Sequence, residues 1–320
     1  MLGLDFCRYE GAAHDTLAAV GDMAVVAKIS VAISTLDRPD SLSRCLDALW
    51  SGDVLPAEVI IVDQSRNETT RSMIEKRQSS NVPIIYIRQE PRGLAASQNA
   101  AIGRACYPIV AITDDDCVPE REWLATVEKT FASENGLAAV TGRILPLEPE
   151  GDKLFPVSLR TGTLRVEFSR KVSPWVVGSG NNFAIKRDWF FRIGGCDERL
   201  GPGSPGKGGV DMDLFYRLLR AGARIRYEPN SLVHHERQDK AGRIARRSMY
   251  GYGMGACCTM WLRQRDPYGL YILGSWAFFR MRRLVTAALC CRWVSVHEEL
   301  LVLEGTAGGL VYGLFVKDTA

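Results

Sequence analysis

Several features that would define this chain at once are missing from its 320 residues. No apolar run reaches the ~18 residues that a bilayer-spanning helix requires; the longest, 267–279, stops at Arg280. No basic stretch followed by an apolar run opens the chain, so no secretory signal is visible and 1–27 reads as a weakly structured extension. None of the nine cysteines forms a C-x-x-C, and their spacings match neither a zinc site nor a disulfide framework. The adjacent pairs Cys257–Cys258 and Cys290–Cys291 lie in apolar stretches, as reduced, buried thiols of a cytoplasmic protein would. Internal repeats and low-complexity tracts are absent. With 46% hydrophobic and 24% charged residues, the composition excludes disordered, collagen-like and disulfide-scaffold classes.

Two nucleotide signatures are missing as well. No G-x-G-x-x-G follows the first apolar run, which disfavours a dehydrogenase. Residues 201–208 (GPGSPGKG) approach the phosphate-binding pattern G-x-x-x-x-G-K-[ST], but Gly208 stands where a metal-binding hydroxyl is required and no strand precedes the segment. An ATPase is therefore rejected, and 201–209 reads as a mobile loop that closes over substrate.

What is present is an alternation of short β-branched runs with amphipathic helical segments. Strands are expected at 28–34 (KISVAIS), 58–63 (EVIIVD), 82–88 and 108–113. Helices are expected from Asp40, acting as a cap, to residue 50, and at 68–78 and 94–105. Such alternation implies parallel pairing with right-handed crossovers, an α/β sheet flanked by helices whose ligands bind at the carboxyl ends of the strands. Past Trp123 a loop-rich stretch, 145–174, is followed by a helix near Lys186 and another over 211–220, with Met212, Phe215, Leu218 and Leu219 as its stripe and Gly222 beyond its end. A short strand is expected at 225–227.

The acidic residues carry the chemistry. Asp114, Asp115 and Asp116 follow an apolar strand, and three adjacent carboxylates repel one another unless a cation sits among them. Hard oxygen ligands suit Mg2+ or Mn2+, which in turn hold a diphosphate; a solvated acidic turn is the plainer alternative. Asp63 ends the second strand, where a carboxylate accepts hydrogen bonds from a base or ribose, or else caps the next helix. Asp211 and Asp213 open a helix, a position that suits either a general base or a cap. His234 and His235 follow the strand expected at 225–227, within reach of a metal or phosphates, or serve as hydrogen-bonded structural groups.

In order, VAISTLDRPDSLSRCLDAL, PAEVIIVDQS, RGLAASQNAAI, AITDDDCVPEREWL, GSGNNFAIKRD and GGVDMDLFYRLLRAG resemble the segments of the family 2 glycosyltransferases across 29–237. The resemblance, to bacterial-type inverting members, implies a GT-A fold: a Rossmann-like mixed sheet over 28–238, with 239–320 as a basic helical extension. It implies a role in polysaccharide or glycoconjugate biosynthesis, with a nucleotide-diphospho-sugar donor and Mn2+ or Mg2+ as cofactor. Ser34, Thr35, Asp37, Asp63, Arg92, Gly93, Asp114 and Asp115 would bind the nucleotide. Asp116 would be the principal metal ligand, with Asp114 and His234 beside it. Asn181, Asn182 and Asp213 would line the sugar or acceptor pocket, and Asp211 would be the general base. Two departures are visible: Gln64 follows Asp63 where the family has Gly or Asp, and Val210 replaces the glutamate that commonly precedes the base. Val210 keeps open a second reading, a non-catalytic sugar-nucleotide-binding relative. A nucleotidyltransferase is disfavoured because STLDRPD, not a Gly-rich basic signature, follows the first strand.

The charge is divided. Residues 240–292 hold ten Lys/Arg against the single acid Asp266, a net +9 that leaves −6 for the rest of a +3 chain. Interleaved Tyr, Trp and Phe make this segment suitable for peripheral contact with an anionic bilayer, on the inner face of the membrane and near a lipid-linked or saccharide acceptor; an ordinary helical subdomain is the alternative. The acidic motifs argue against nucleic acid.

Overall fold

The computed structural model describes residues 25–77, 82–148 and 154–317. Residues 1–24 of the expected extension lie outside these, and 25–27 begin the first strand. The predicted alternation is present: β1 (Val25–Thr35), α1 (Pro39–Trp50), β2 (Val54–Asp63), α2 (Thr69–Glu75), β3 (Ile84–Arg88), α3 (Leu94–Arg104) and β4 (Ile109–Asp114). Val31 and Ile33 of β1 and Val59 to Val62 of β2 are buried, as central strands covered on both faces must be. Two boundaries differ from expectation. Arg38, not Asp40, is the N-cap of α1, because Pro39 already sets the first helical turn; Asp40 sits in that turn, where its charge complements the helix dipole. Helix α2 stops at Glu75, short of the predicted span, whose last residue, Gln78, falls outside the described residues.

Farther along, the chain adds β5 (Cys117–Pro119), α4 (Trp123–Ser133), β6 (Leu137–Pro146), β7 (Val166–Ser169), a 3-10 turn at Pro174–Val176, β8 (Asn182–Lys186), α5 (Arg187–Arg192), α6 (Val210–Arg220) and β9 (Arg224–His235). The sheet order is β3-β2-β1-β4-β8-β6-β9-β5, with β7 also on β9. Strands β3, β2, β1 and β4 are parallel, as predicted. Strand β8 then runs antiparallel to both β4 and β6, while β6 and β9 are parallel. The sheet is therefore mixed. Apolar clusters lie on both faces: Ile33, Leu46, Ile61 and Trp123 under α1 and α4, and Ile60, Ile112, Phe183 and Phe215 under α3 and α6.

Three long helices complete the chain: α7 (Lys240–Arg263), α8 (Tyr268–Leu289) and α9 (Trp293–Phe315). The second apolar cluster runs without a break from the sheet into Met254, Cys257, Trp261, Trp276 and Val302, so these helices share the sheet's core. Helices α7 and α9 touch backbone to backbone. A Cβ added to Gly251, Gly255, Gly305 or Gly309 would lie within 2.2 Å of a carbonyl oxygen on the facing helix. Any side chain there would drive the helices apart. Among the described residues, no helix is long and apolar enough to cross a membrane.

Segment 201–209 is a packed turn, not the free loop expected. Gly201 N donates to Gly208 O (3.1 Å), Gly206 N to Arg199 O (2.8 Å) and Leu94 N to Pro202 O (2.9 Å). Gly203 lies against Gly93, where a Cβ would come within 2.9 Å of the Gly93 Cα, and Gly208 and Gly209 lie against Gly253 of α7. Glycine is what allows the two turns and the helix to meet.

Candidate functional site

The carboxyl ends of β1, β2 and β4 bring most of the predicted donor-site residues together. Asp63 is fully buried at the end of β2; its Oδ1 accepts from Ser65 N (2.7 Å) and its Oδ2 from the Tyr86 hydroxyl (2.7 Å) and Arg88 Nη1 (3.4 Å). Asp37, in the left-handed region at φ 55°, accepts from Arg66 N, while its own N–H donates to Ser65 Oγ. Ser34 and Asp114 are paired across β1 and β4, and Thr35 Oγ1 donates to Asp115 Oδ2 at 2.7 Å. Arg92 is exposed and paired with Glu198 at 2.8 Å; Gly93 is the N-cap of α3 at φ 93°. Gln64, the departure noted above, clasps this turn. Its Oε1 accepts from the N–H groups of Arg92 and Gly93, and its Nε2 donates to Ser97 Oγ, Gln89 Oε1 and Gly93 O.

The acidic run is crowded. Removal from water, then Asp116 and Asp115, push the Asp114 carboxyl up to about 8; burial and then Asp116 push Asp115 up to about 6. A residue that the sequence reading passed over offsets part of this charge: Arg38 Nη1 donates to Asp116 Oδ2 at 2.8 Å and to Asp115 Oδ1 at 3.3 Å. Asp116 Oδ1 remains buried without a hydrogen-bond partner, 3.5 Å from His235 Nε2, and the Cys117 thiol completes a cluster whose ligand atoms lie within 4.8 Å of one another. Burial raises the Cys117 thiol well above its ordinary value, so it stays protonated and the carboxylate and imidazole are the available ligands. An orphaned carboxylate oxygen facing a histidine fits a divalent cation of the Mn2+ or Mg2+ kind.

His235, not His234, is the histidine that meets Asp116. Both lie inside β9, which extends well past the predicted 225–227, and neighbours on a strand face opposite sides. His234 points away, with Nε2 on Glu120 Oε1 (2.7 Å) and Nδ1 on Pro146 O (3.4 Å). Asn182 is likewise drawn into the frame: Nδ2 donates to Arg143 O and Ser231 O, and Oδ1 accepts from the Trp123 indole, joining β6, β8, β9 and α4. Asp213 faces the interior, accepting from Arg217 Nε and Trp261 Nε1 and so tying α6 to α7. The structure does not bring His234, Asn182 or Asp213 to the site.

Asp211 and Asn181 lie at the start of β8, at the same end of the sheet as the acidic run. Asp211 Oδ2 accepts from Gly180 N (3.0 Å) and Oδ1 from Met212 N (2.9 Å), which fixes the carboxylate at the start of α6. Burial raises its pKa despite these bonds and the nearby Arg160. Val210 is buried among apolar residues and packs against Gly201, so an alkyl side chain suits the space where the family commonly carries a glutamate. Four buried side-chain oxygens have no partner at this end of the sheet: Ser34 Oγ, Thr113 Oγ1, Asp116 Oδ1 and Asn181 Oδ1. Buried polar atoms are seldom left unpaired, and these occur at the carboxyl end of the parallel strands, where such sheets take a polar ligand.

Comparison with known proteins agrees with this geometry. Residues 30–194 match the family model described as Glycosyl transferase family 2. A glucosyl-dolichyl phosphate glucuronosyltransferase of Haloferax volcanii is 24% identical over 309 residues, covering 91% of this chain and 97% of the relative. A pre-mycofactocin glycosyltransferase of Mycobacterium tuberculosis is 32% identical over 184 residues, 55% of this chain and 36% of the relative, of whose length the match thus spans about a third. Among solved structures, the mannosyltransferase PcManGT of Pyrobaculum calidifontis, in complex with GDP-Man and Mn2+, superposes with a TM-score of 0.61 at 18% identity, over 91% of this chain and 88% of that one. Staphylococcus aureus TarS 1–349 with UDP-GlcNAc gives 0.54 at 14% identity, over 88% and 92%. The shared fold is GT-A.

Proposed function

The chain belongs to glycosyl transferase family 2, and from that premise we propose an inverting transfer of sugar from a nucleotide-diphospho-sugar to an acceptor hydroxyl, with Asp211 as general base. The observation that carries the reading is the presence, at one end of the sheet, of orphaned oxygens on Ser34, Asp116 and Asn181 together with a carboxylate held in place at the start of α6. Asp63, Asp37 and the Arg92–Gly93 turn would hold the nucleoside, with Ser34 and Thr35 beneath it. Asp116 and His235 would hold a divalent cation, with Asp114 on its open side. Such an ion, when bound, offsets the charge that develops on the leaving nucleoside diphosphate. Asp211 takes the acceptor proton, and the oxygen so activated attacks the anomeric carbon from the face opposite the leaving group. One displacement inverts that centre. Burial raises the pKa of Asp211, which makes it a stronger base than an exposed aspartate.

The proposal extends to a cytoplasmic setting at the inner face of a membrane. All eight cysteines among the described residues are free thiols, as a reducing compartment allows. Among the described residues, 13 of the 22 exposed large apolar side chains fall between Leu270 and Phe315. Around the α8–α9 turn, Val285, Leu289, Trp293 and Val294 are exposed beside Arg282 and Arg292, and no acid occurs from residue 267 to 297. Apolar contact rimmed by arginine suits an anionic bilayer surface.

A thermal-shift screen of UDP, GDP, TDP and CDP sugars with and without Mn2+ tests the donor site. One nucleotide class should raise the melting temperature only with metal; no shift with any of them would sink the reading. Flotation with phosphatidylglycerol vesicles tests the membrane contact, which Trp293→Glu should weaken.

A further inference from the structure

Arg160, near Asp211, and Arg143, near the same Tyr227 as Arg160, have no carboxylate ion-paired to them among the described residues. Arg160, on the segment leading to β7, spends Nη2 on the carbonyls of Trp175 and Gly178. Those carbonyls belong to the same short stretch whose Gly180 N–H holds Asp211. Its guanidinium is largely withdrawn from water, and that burial lowers its pKa even though Asp211 is near enough to counter the effect. Arg143, on β6, carries a buried Nε without a hydrogen-bond partner. It lies on the sheet face shared with Thr141, whose hydroxyl binds Val177 O, and the charges of both arginines act on the Tyr227 hydroxyl, lowering its pKa against the effect of burial.

Among the described residues, Arg160 is thus the cation nearest the base, and Arg143 lies near the same tyrosine. A buried cation without a counter-ion is costly, and side chains in this condition are usually paired once their ligand arrives. Tyr227 does not supply the missing charge, because its hydroxyl donates to Gly162 O at 2.8 Å. Nor does Tyr250, whose hydroxyl meets only Ser158 Oγ at 3.5 Å. Planar guanidinium groups recognise phosphate and carboxylate through paired hydrogen bonds, and a base flanked by such a site is suited to an acceptor that carries its own negative charge.

We propose that Arg160 and Arg143 form an anion subsite in the acceptor pocket, binding a phosphate or carboxylate of the acceptor beside the hydroxyl that Asp211 deprotonates. The location of the acceptor rests on the reading of Asp211 as base; the anion site itself does not. Titration calorimetry of the full chain with methyl phosphate, methyl glucuronoside and neutral methyl glucoside tests it. At least one anion should bind and the neutral sugar should not. Arg160→Gln should weaken the anion by ~10-fold or more, and Arg143→Gln in the same direction. Arg160→Lys, which keeps the charge, should retain part of the affinity and guards against a fold lost with the Trp175 and Gly178 contacts. Arg38→Gln, on the donor side, should leave anion binding unchanged.

The two sources of negative charge separate in the same experiment. Preference for methyl phosphate, strengthened when a short polyprenyl phosphate replaces it, identifies a lipid-phosphate-linked acceptor; preference for the uronate identifies an acidic saccharide. Asp211→Asn should bind the anion at least as tightly as the parent, since it removes a negative charge, even where transfer is lost. Anion affinity indifferent to Arg160 and Arg143, or lost only with Arg38→Gln, overturns the proposal.

Discussion

Strands β1, β2 and β4 meet their neighbours through aliphatic and β-branched side chains, whereas α7 and α9 meet through glycine. In the sheet, Ile33, Ile60, Ile61 and Val62 are fully buried, each contributing roughly 1.5–3 kcal/mol of apolar burial. In the helical unit, Gly251, Gly255, Gly305 and Gly309 bring backbones together, and large side chains such as Phe278, Leu289 and Phe315 are left outside at 71%, 81% and 80% exposure. The acidic site sits at the edge of the first region. The second carries the positive charge and also supports the site, because Gly253 of α7 seats Gly209 just before the helix that presents Asp211. One region holds the proposed chemistry; the other packs against it and offers a surface.

The strongest way to break this division lies at the base. Asp211→Asn should lower transfer by ~10²–10⁴-fold while a donor-induced thermal shift survives, since the variant alters proton removal and not the donor site. Next, Asp116→Asn should abolish the Mn2+-dependent part of that shift and cost transfer ~10²–10³-fold, measured with donor at saturation. In the helical unit, Gly309→Val places a Cβ 1.9 Å from Tyr252 O; it should cost about 3 kcal/mol in denaturant unfolding without a sheet residue being touched. Unaltered stability there would mean that α7 and α9 can separate freely.

The pH dependence sharpens the same comparison. Because burial raises Asp211 above the usual carboxylate range, the ionised base is lost as pH falls through that raised value. The acid limb of the rate at saturating substrates should therefore lie above pH ~4, and it should vanish from the residual activity of Asp211→Asn. The smallest effect expected is at His234: His234→Ala, which removes partly exposed contacts to Glu120 and the Pro146 carbonyl, should change activity less than twofold and stability by about 0.5 kcal/mol, whereas His235→Ala should weaken Mn2+ binding.

Much of the first region was legible in the residues. KISVAIS, EVIIVD and the amphipathic stripe at Leu42, Cys45, Leu46 and Leu49 declare strands and a helix through local periodicity, and they fold as such. Far less could be read past Trp123. Strands β6 and β8 pair across some forty residues, and β7 depends on β9 for its definition, so no local pattern announces them. The glycines of α7 and α9 read as weak helix formers in isolation; only their mutual contact turns them into a packing surface. Arg38 and Arg160 escaped notice because an arginine in sequence looks like surface, and its partners here come from distant segments.

By itself, then, the sequence determined the parallel pairing of the first four strands, the position of Asp63 and Asp114 at strand ends, and the entry of Asp211 into a helix. These follow from the spacing of apolar residues, a property of a short stretch of chain. Tertiary structure alone decided which of two adjacent histidines faces Asp116, why Asn182 and Asp213 serve the frame, and that Arg160 comes near Asp211. Those outcomes turn on sheet register and helix contact, where a shift of one residue exchanges the side chain turned inward for the one turned away.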